Sequence, residues 1–429
     1  MACLASPLLA GPFQVGAGRA SLTPDPQMRN WVGGAPYEGV LDPLYARAVV
    51  LSDETNEVVL LTWDLVDAGE AAVERTRKLI EAELHIPADH ILVNASHTHS
   101  APWSPLFSTN LLPNARKTQL PVEAGPVYQS WSGLLLQRSL EAARQARANR
   151  RGATAGIARA NVSEWLFSRR LRRPDGLAET IFEPSDPYTL PRGLQFGSMD
   201  PTLTLLAFKD QDGQSIATLF QLPCHSVTIY PYHKGISADW PGPVCAALNE
   251  KLGGETLFLQ GCAGDIVPAR RGVKERDAMS AFIAARAEAA ARQSYPLKTS
   301  GLQIRGARIH LPLLPGAAKE FGQPALASEV QVISFGPLSI VALPGEPLID
   351  VALHIQRRSP FPHTLVLGYS NGYGVEYVGI PGEKARGGYE MTDEGAGTDE
   401  CGAILIETAV RLLQESFAAR PDGNASPKN

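Results

Sequence analysis

The chain has 429 residues, is 44% hydrophobic and carries a formal net charge of -5. That is enough apolar material for one large core or two modest ones, and it excludes a broad basic surface for nucleic acid. No uninterrupted apolar run approaches the roughly 18 residues that a membrane span needs. The start, MACLASPLLAGPF, lacks a basic region and is a poor secretory signal. Cys3, Cys224, Cys245, Cys262 and Cys401 are odd in number and widely spaced, which excludes a disulfide framework and a structural zinc cluster and favours a reducing, cytoplasmic setting.

In chain order, strands are predicted over 46–52 and 57–64, then a helix over 71–84 whose Val73, Thr76, Ile80 and Leu84 share one face. A strand over 90–96 and a helix over 131–148 follow, then strands over 202–208 and 216–223. The stretch 237–253 reads as a loop entering a helix with proline in its first turn, and 256–261 as the next strand. A helix over 277–293 precedes a hairpin, 330–336 and 338–345, that turns at Gly336-Pro337; a strand over 364–370 and a helix over 401–418 complete the series. Most strands are nearly continuous apolar runs, the mark of strands buried on both faces. The expected fold class is α/β, with a mixed, buried β-sheet core flanked by helices and no fixed-period repeat. Two long segments without periodicity, 104–128 and 172–199, read as pocket walls. Sequons at Asn94, Asn161 and Asn424 carry little weight, since the first falls in a buried strand.

Metal-competent side chains gather at strand ends. His97 and His99 in SHTHS stand two residues apart, and in an extended segment such residues face one side. His225 follows a strand directly, Glu346 follows a strand and a Pro-Gly turn, and Tyr369, Tyr373 and Tyr377 lie in a loop after the strand 364–370. Ligands in open α/β sheets collect beyond strand ends, so these residues suggest a His/His/Glu zinc site built by loops. Taken singly, each also has a structural reading: a hydrogen-bonded histidine, a turn carboxylate, a rim tyrosine. The turn GCAGD lacks the lysine of a phosphate loop, and H-E-x-x-H is absent.

Six stretches in one order resemble neutral, non-lysosomal ceramidases: NASHTHSAP, CHSVTIYPYHKGISADWPG, GCAGDIVP, LPGE, GYSNGYGVEYVG and GGYE, within residues 12–415. The resemblance implies zinc held by His97, His225, Glu346 and Tyr377, with a position left for water. The tyrosine loop has one extra residue, which keeps Tyr373 as an alternative ligand. His99 resembles the family's active-site histidine that is not a ligand. Arg169, with Arg170 as the alternative, resembles its substrate-binding arginine, and Tyr389 its oxyanion tyrosine. Asp239 and Asp265 either orient ligands or cap the helices after them. The implied activity is zinc-dependent hydrolysis of an amide (N-acyl) bond in a small-molecule or lipid-like substrate.

The chain also departs from that family. Ala-Pro-Trp follows the histidines where Gly-Pro-Gly is usual, so Trp103 is expected to crowd the pocket mouth. A single catalytic domain is expected over 12–418, with a disordered tail over 419–429 and no immunoglobulin-like domain. No amphipathic basic helix offers a membrane anchor, which favours a substrate smaller and more polar than ceramide. The alternatives are an esterase or lactonase, zinc-assisted chemistry on a polyol, and a non-catalytic binding protein on the same fold.

Overall fold

The computed structural model describes residues 13–31, 34–105 and 126–420. The N-terminal segment with Cys3, most of the pocket-wall stretch 104–128, Asn424 and the end of the tail lie outside the described residues.

Every strand predicted above is present, and the structure arranges them in a threefold pattern that no sequence period announces. The first four-stranded unit runs Gln14–Ser21, Tyr45–Ser52, Glu57–Trp63, then helix Glu70–Leu84, then Ile91–Ala95. Its first three strands pair antiparallel, and the fourth pairs parallel to the third across the helix. The second unit repeats this with Thr154–Asn161, Thr202–Lys209, Ser215–Leu222, helix Pro241–Leu252 and Glu255–Gln260. The third does so with Gln303–Pro312, Ala325–Phe335, Leu338–Ala342, helix Ile349–Arg358 and His363–Leu367. A further helix follows each unit, over Pro126–Ala148, Val273–Ala291 and Glu400–Ala418, and packs against the first strand of its own sheet or the strand beside it.

This layering explains the continuous apolar runs. One face of each sheet turns into a core common to all three: Leu60 and Leu92 from the first, Leu219 and Leu257 from the second, Ile340 and Leu365 from the third. The alternate residues face the helices; Leu61 and Val93 pack with Trp131 and Leu135, for example. Strands buried on both sides have no polar face to reveal a period of two.

The first strand of each unit escaped prediction. Gln14–Ser21, Thr154–Asn161 and Gln303–Pro312 carry glycine, arginine and other polar residues instead of an apolar run. Their small residues have a packing reason. A Cβ on Gly16 would lie 2.1 Å from the Ala146 carbonyl, so only glycine lets the helix Pro126–Ala148 close on that strand.

The fourth strands converge where their ends meet. Asn94, fully buried, donates its amide to the Gly368 carbonyl (2.8 Å) and to Ser370 Oγ (3.0 Å), while its Oδ1 accepts the Gln260 amide (2.8 Å). One side chain thus joins the ends of all three parallel strands and cannot be the glycan acceptor its sequon suggests. Asn94→Ala would strand several buried polar groups and is expected to cost on the order of 3 kcal/mol in chemical denaturation. A loss under about 0.5 kcal/mol would show that the junction is held elsewhere.

Candidate functional site

Each unit sends two loops from its parallel strand pair to this junction, and the metal-competent residues lie on them. His97 follows the strand Ile91–Ala95, His225 follows Ser215–Leu222, and Glu346 follows Leu338–Ala342. All three side chains are buried. Glu346 Oε2 lies 3.3 Å from His97 Nε2 and 3.4 Å from His225 Nε2. His99 Nε2 is 3.0 Å from His97 Nε2. The donor atoms of His97, His99 and His225 all fall within 4.8 Å of one another and could hold a metal ion.

The route to this convergence differs from the expectation. The strand ends at Ala95, and His97 adopts a left-handed backbone (φ 59°), so a turn, not strand alternation, brings the two imidazoles together. Among the described residues, Asp239, Tyr369, Asn371 and Glu376 are also non-glycine residues at positive φ, and all lie in the loops around the site. Gly345 of the Pro-Gly turn has φ 72°, and a Cβ there would lie 2.5 Å from the Glu376 carbonyl. Backbone strain is concentrated here and held by the surrounding bonds.

The imidazoles are held in defined tautomers. His97 Nδ1 donates to the Val66 carbonyl (2.7 Å), and His225 Nδ1 donates to the Ala263 carbonyl (2.7 Å). Each Nε2 is thereby turned toward Glu346. His225 Nε2 is buried and makes no hydrogen bond among the described residues. Burial, together with Arg169, pushes the His225 imidazole down to about 4, so it is neutral as a ligand must be. The chemistry of this donor set fits a divalent metal.

His99 is different. Its Nδ1 is buried without a partner among the described residues, so no carbonyl orients the ring. Burial and the neighbouring His97 and His225 hold His99 well below the usual imidazole range.

The three tyrosines part company. Tyr369 packs its ring on His97 at 4.3 Å and donates to Glu346 Oε2 (3.3 Å). Tyr377 pairs with Glu346 through a short parallel bridge, and its hydroxyl accepts from Arg169 Nη2 (3.0 Å). Tyr373 packs edge-on against Trp103 at 5.2 Å. Arg169 also donates to Glu390 Oε1 (2.7 Å) and to the Gly264 carbonyl (2.7 Å), and its guanidinium lies 5.6 Å from the Tyr389 ring centre. Arg170 is engaged away from the tyrosines, with Glu383 (2.8 Å) and Glu390 (3.1 Å). Of the expected residues, the structure therefore brings together His97, His99, His225, Glu346, Tyr377 and Arg169, with Tyr389 stacked edge-on against Tyr377 at 5.9 Å.

The two aspartates act on backbone. Asp239 accepts from Thr228 Oγ1 and the amides of Thr228, Ile229 and Trp240, bracing the segment after His225. Asp265 accepts the Ile349 amide (2.8 Å) and so caps the helix after Glu346. Sequence reasoning missed Trp31, Tyr230, Arg271 and Glu390. Glu390 stood beside Tyr389 in GGYE, and an isolated tryptophan in the glycine-rich RNWVGGAPYEG was the available signal for Trp31.

In sequence, no family model and no curated protein matches the chain. Solved structures do match in fold. The crystal structure of neutral ceramidase from Pseudomonas aeruginosa superposes with a TM-score of 0.71 at 16% identity, covering 94% of this chain and 75% of that one. A ceramidase complexed with C2 gives 0.70 at 15% identity, covering 94% and 76%. The chain has the fold of the neutral ceramidases. Among the described residues, no helix is long and apolar enough to cross a membrane.

Asp265 supplies a stability test. Burial pushes its carboxyl up to about 7, against about 3.9 for an unfolded aspartate. Between those values the unfolded chain releases a proton that the folded chain retains, so stability falls as pH rises through that window. Asp265→Asn keeps an acceptor for Ile349 and is expected to gain on wild type between pH 5 and 8, by roughly 2 kcal/mol or more, in parallel melts. A difference that does not change with pH would contradict the raised value.

Proposed function

We propose that the chain is a zinc-dependent hydrolase of amide (N-acyl) bonds, with a catalytic unit spanning residues 12–418. One observation carries the reading. His97 and His225, each fixed through Nδ1 by a carbonyl, turn Nε2 to Glu346, whereas His99, beside them, lacks such a tether. Ligand histidines have their second nitrogen held by an acceptor; a histidine that moves protons does not require it. The ceramidase fold supports amide chemistry on this arrangement.

In this reading His97, His225 and Glu346 hold the ion with Tyr377, the tyrosine on the bridge beside Glu346. Zinc, when bound, lowers the pKa of water toward neutral and polarises a carbonyl. The other roles belong to the protein. Arg169, fixed by Glu390 and Gly264, and Tyr389 beside it supply hydrogen-bond donors for the oxyanion. The water oxygen bonds to the carbonyl carbon as His99 takes up the proton the water loses; the C–N bond then breaks and the nitrogen leaves with that proton, which returns His99 to its neutral form. An amine needs that proton far more than an alcohol does, which is why the free His99 favours an amide over an ester.

Elemental analysis and kinetics test the division of labour. His97→Ala is expected to abolish both zinc binding and hydrolysis. His99→Gln is expected to keep about one zinc per chain and to lose 100- to 10,000-fold in kcat on N-acyl amines. Purified wild-type protein that binds no zinc, or a panel on which only esters turn over, would overturn the reading.

A further inference from the structure

Beyond the metal-competent residues, the wall behind His99 is aromatic. Trp31 meets His99 edge-on at 5.3 Å, stacks on Tyr230 at 6.0 Å and meets Trp103 edge-on at 5.7 Å. Tyr230 itself meets His99 at 4.9 Å. Trp103, expected to crowd the mouth, thus packs on Trp31, which itself lies against His99.

Arg271 joins this wall to the Arg169 side. Its Nη1 donates to the Tyr230 carbonyl (3.4 Å) and its Nη2 to the Phe182 carbonyl (3.1 Å). The Phe182 ring in turn lies 5.4 Å from the Arg169 guanidinium and 5.0 Å from the Tyr389 ring. The Arg271 side chain is only 8% exposed, and its one ion-pair contact among the described residues is the half-exposed Glu183, 3.6 Å from Nη1.

Three N–H donors on this wall are buried and find no acceptor among the described residues: Trp31 Nε1, Trp103 Nε1 and Arg271 Nε. Native structures rarely leave buried donors unpaired, and a cluster of them beside a reactive centre implies an acceptor that arrives with the ligand. Glu346 is engaged with the histidines and Glu390 with Arg169 and Arg170, so neither supplies it. Burial and the charge of Arg169 lower the Arg271 pKa, so an anion beside it relieves repulsion.

Resting on the hydrolase reading, we infer that the substrate carries a carboxylate on the amine side of the scissile amide, as an N-acyl amino acid does. Trp31 lies against His99 and Trp103 against Trp31, while Arg271 holds the carbonyl of Tyr230, the other ring against His99; His99 serves the leaving nitrogen, which places the anion on the amine portion. A carboxylate offers two oxygens with about four acceptor positions in one plane, enough for a guanidinium and two indoles. The flat rings of Trp31 and Tyr230 accommodate the carbon skeleton next to it.

The test pairs N-acetyl amino acids with their neutral carboxamides, measured by calorimetric binding and by kcat/KM on zinc-loaded protein. The acids are expected to bind and to be cleaved at least tenfold better. Arg271→Met is expected to collapse the acid-to-carboxamide ratio at least fivefold, whereas a purely structural role would lower both substrates in proportion. Trp31→Phe, which keeps the ring and removes one donor, is expected to reduce the ratio about threefold and serves if Arg271→Met does not fold. Equal binding of acid and carboxamide, or an unchanged ratio in both variants, overturns the carboxylate site whether or not either compound is cleaved. Acid-selective binding with no amide cleaved upholds the carboxylate site and overturns the hydrolase reading instead.

Discussion

The amide of Asn94 binds the Gln260 backbone on one side and the Gly368 carbonyl on the other, which forces three strand ends from three sheets into one buried junction. Gln260 extends the tie by donating to the carbonyls of Ser96 and Cys224, the residues just before His97 and His225. A buried polar network of this kind tolerates little displacement, since each misplaced group would be left unsatisfied. The loops carrying the histidines and Glu346 therefore start from fixed points. The topology multiplies the effect, because each unit delivers two strand ends to the same place, and a site assembled there draws side chains from sequence positions more than 100 residues apart.

Around the junction, charge is arranged in two layers. The inner layer is Glu346 facing the His97 and His225 imidazoles; the outer layer is Arg169 and Arg170 sharing Glu390, with Glu383 behind Arg170. Glu390 presents one oxygen to each arginine, which keeps two buried cations side by side without an unpaired charge. Arg169 Nη2 then reaches both the Gly264 carbonyl and the Tyr377 hydroxyl. Among the described residues, Arg271 has no equivalent buried carboxylate as an ion-pair partner, and that asymmetry is what distinguishes the aromatic wall from the arginine pair.

Much of the fold was legible from local composition. Strands such as Glu57–Trp63 and Leu338–Ala342 are buried on both faces and show as apolar runs. The helix Ile349–Arg358 is short, and the first strand of each unit is mixed in polarity, so neither carried a strong local signal. The threefold pattern was invisible because spacing between units varies with loop length, while the repeat lies in strand direction and connection.

By itself, the sequence determined the α/β class, the strand-end positions of His97, His225 and Glu346, and the set of residues that resemble a ceramidase site, because apolar runs and short motifs are local properties. Only the tertiary structure decided how these residues relate. It showed His97 and His225 tethered and His99 untethered, Arg169 against Tyr377 with Arg170 held by Glu383, Trp31 against His99, and Arg271 on the carbonyl of Tyr230. Those distinctions rest on which backbone carbonyl or carboxylate another unit brings within hydrogen-bonding distance, and such partners lie far away along the chain.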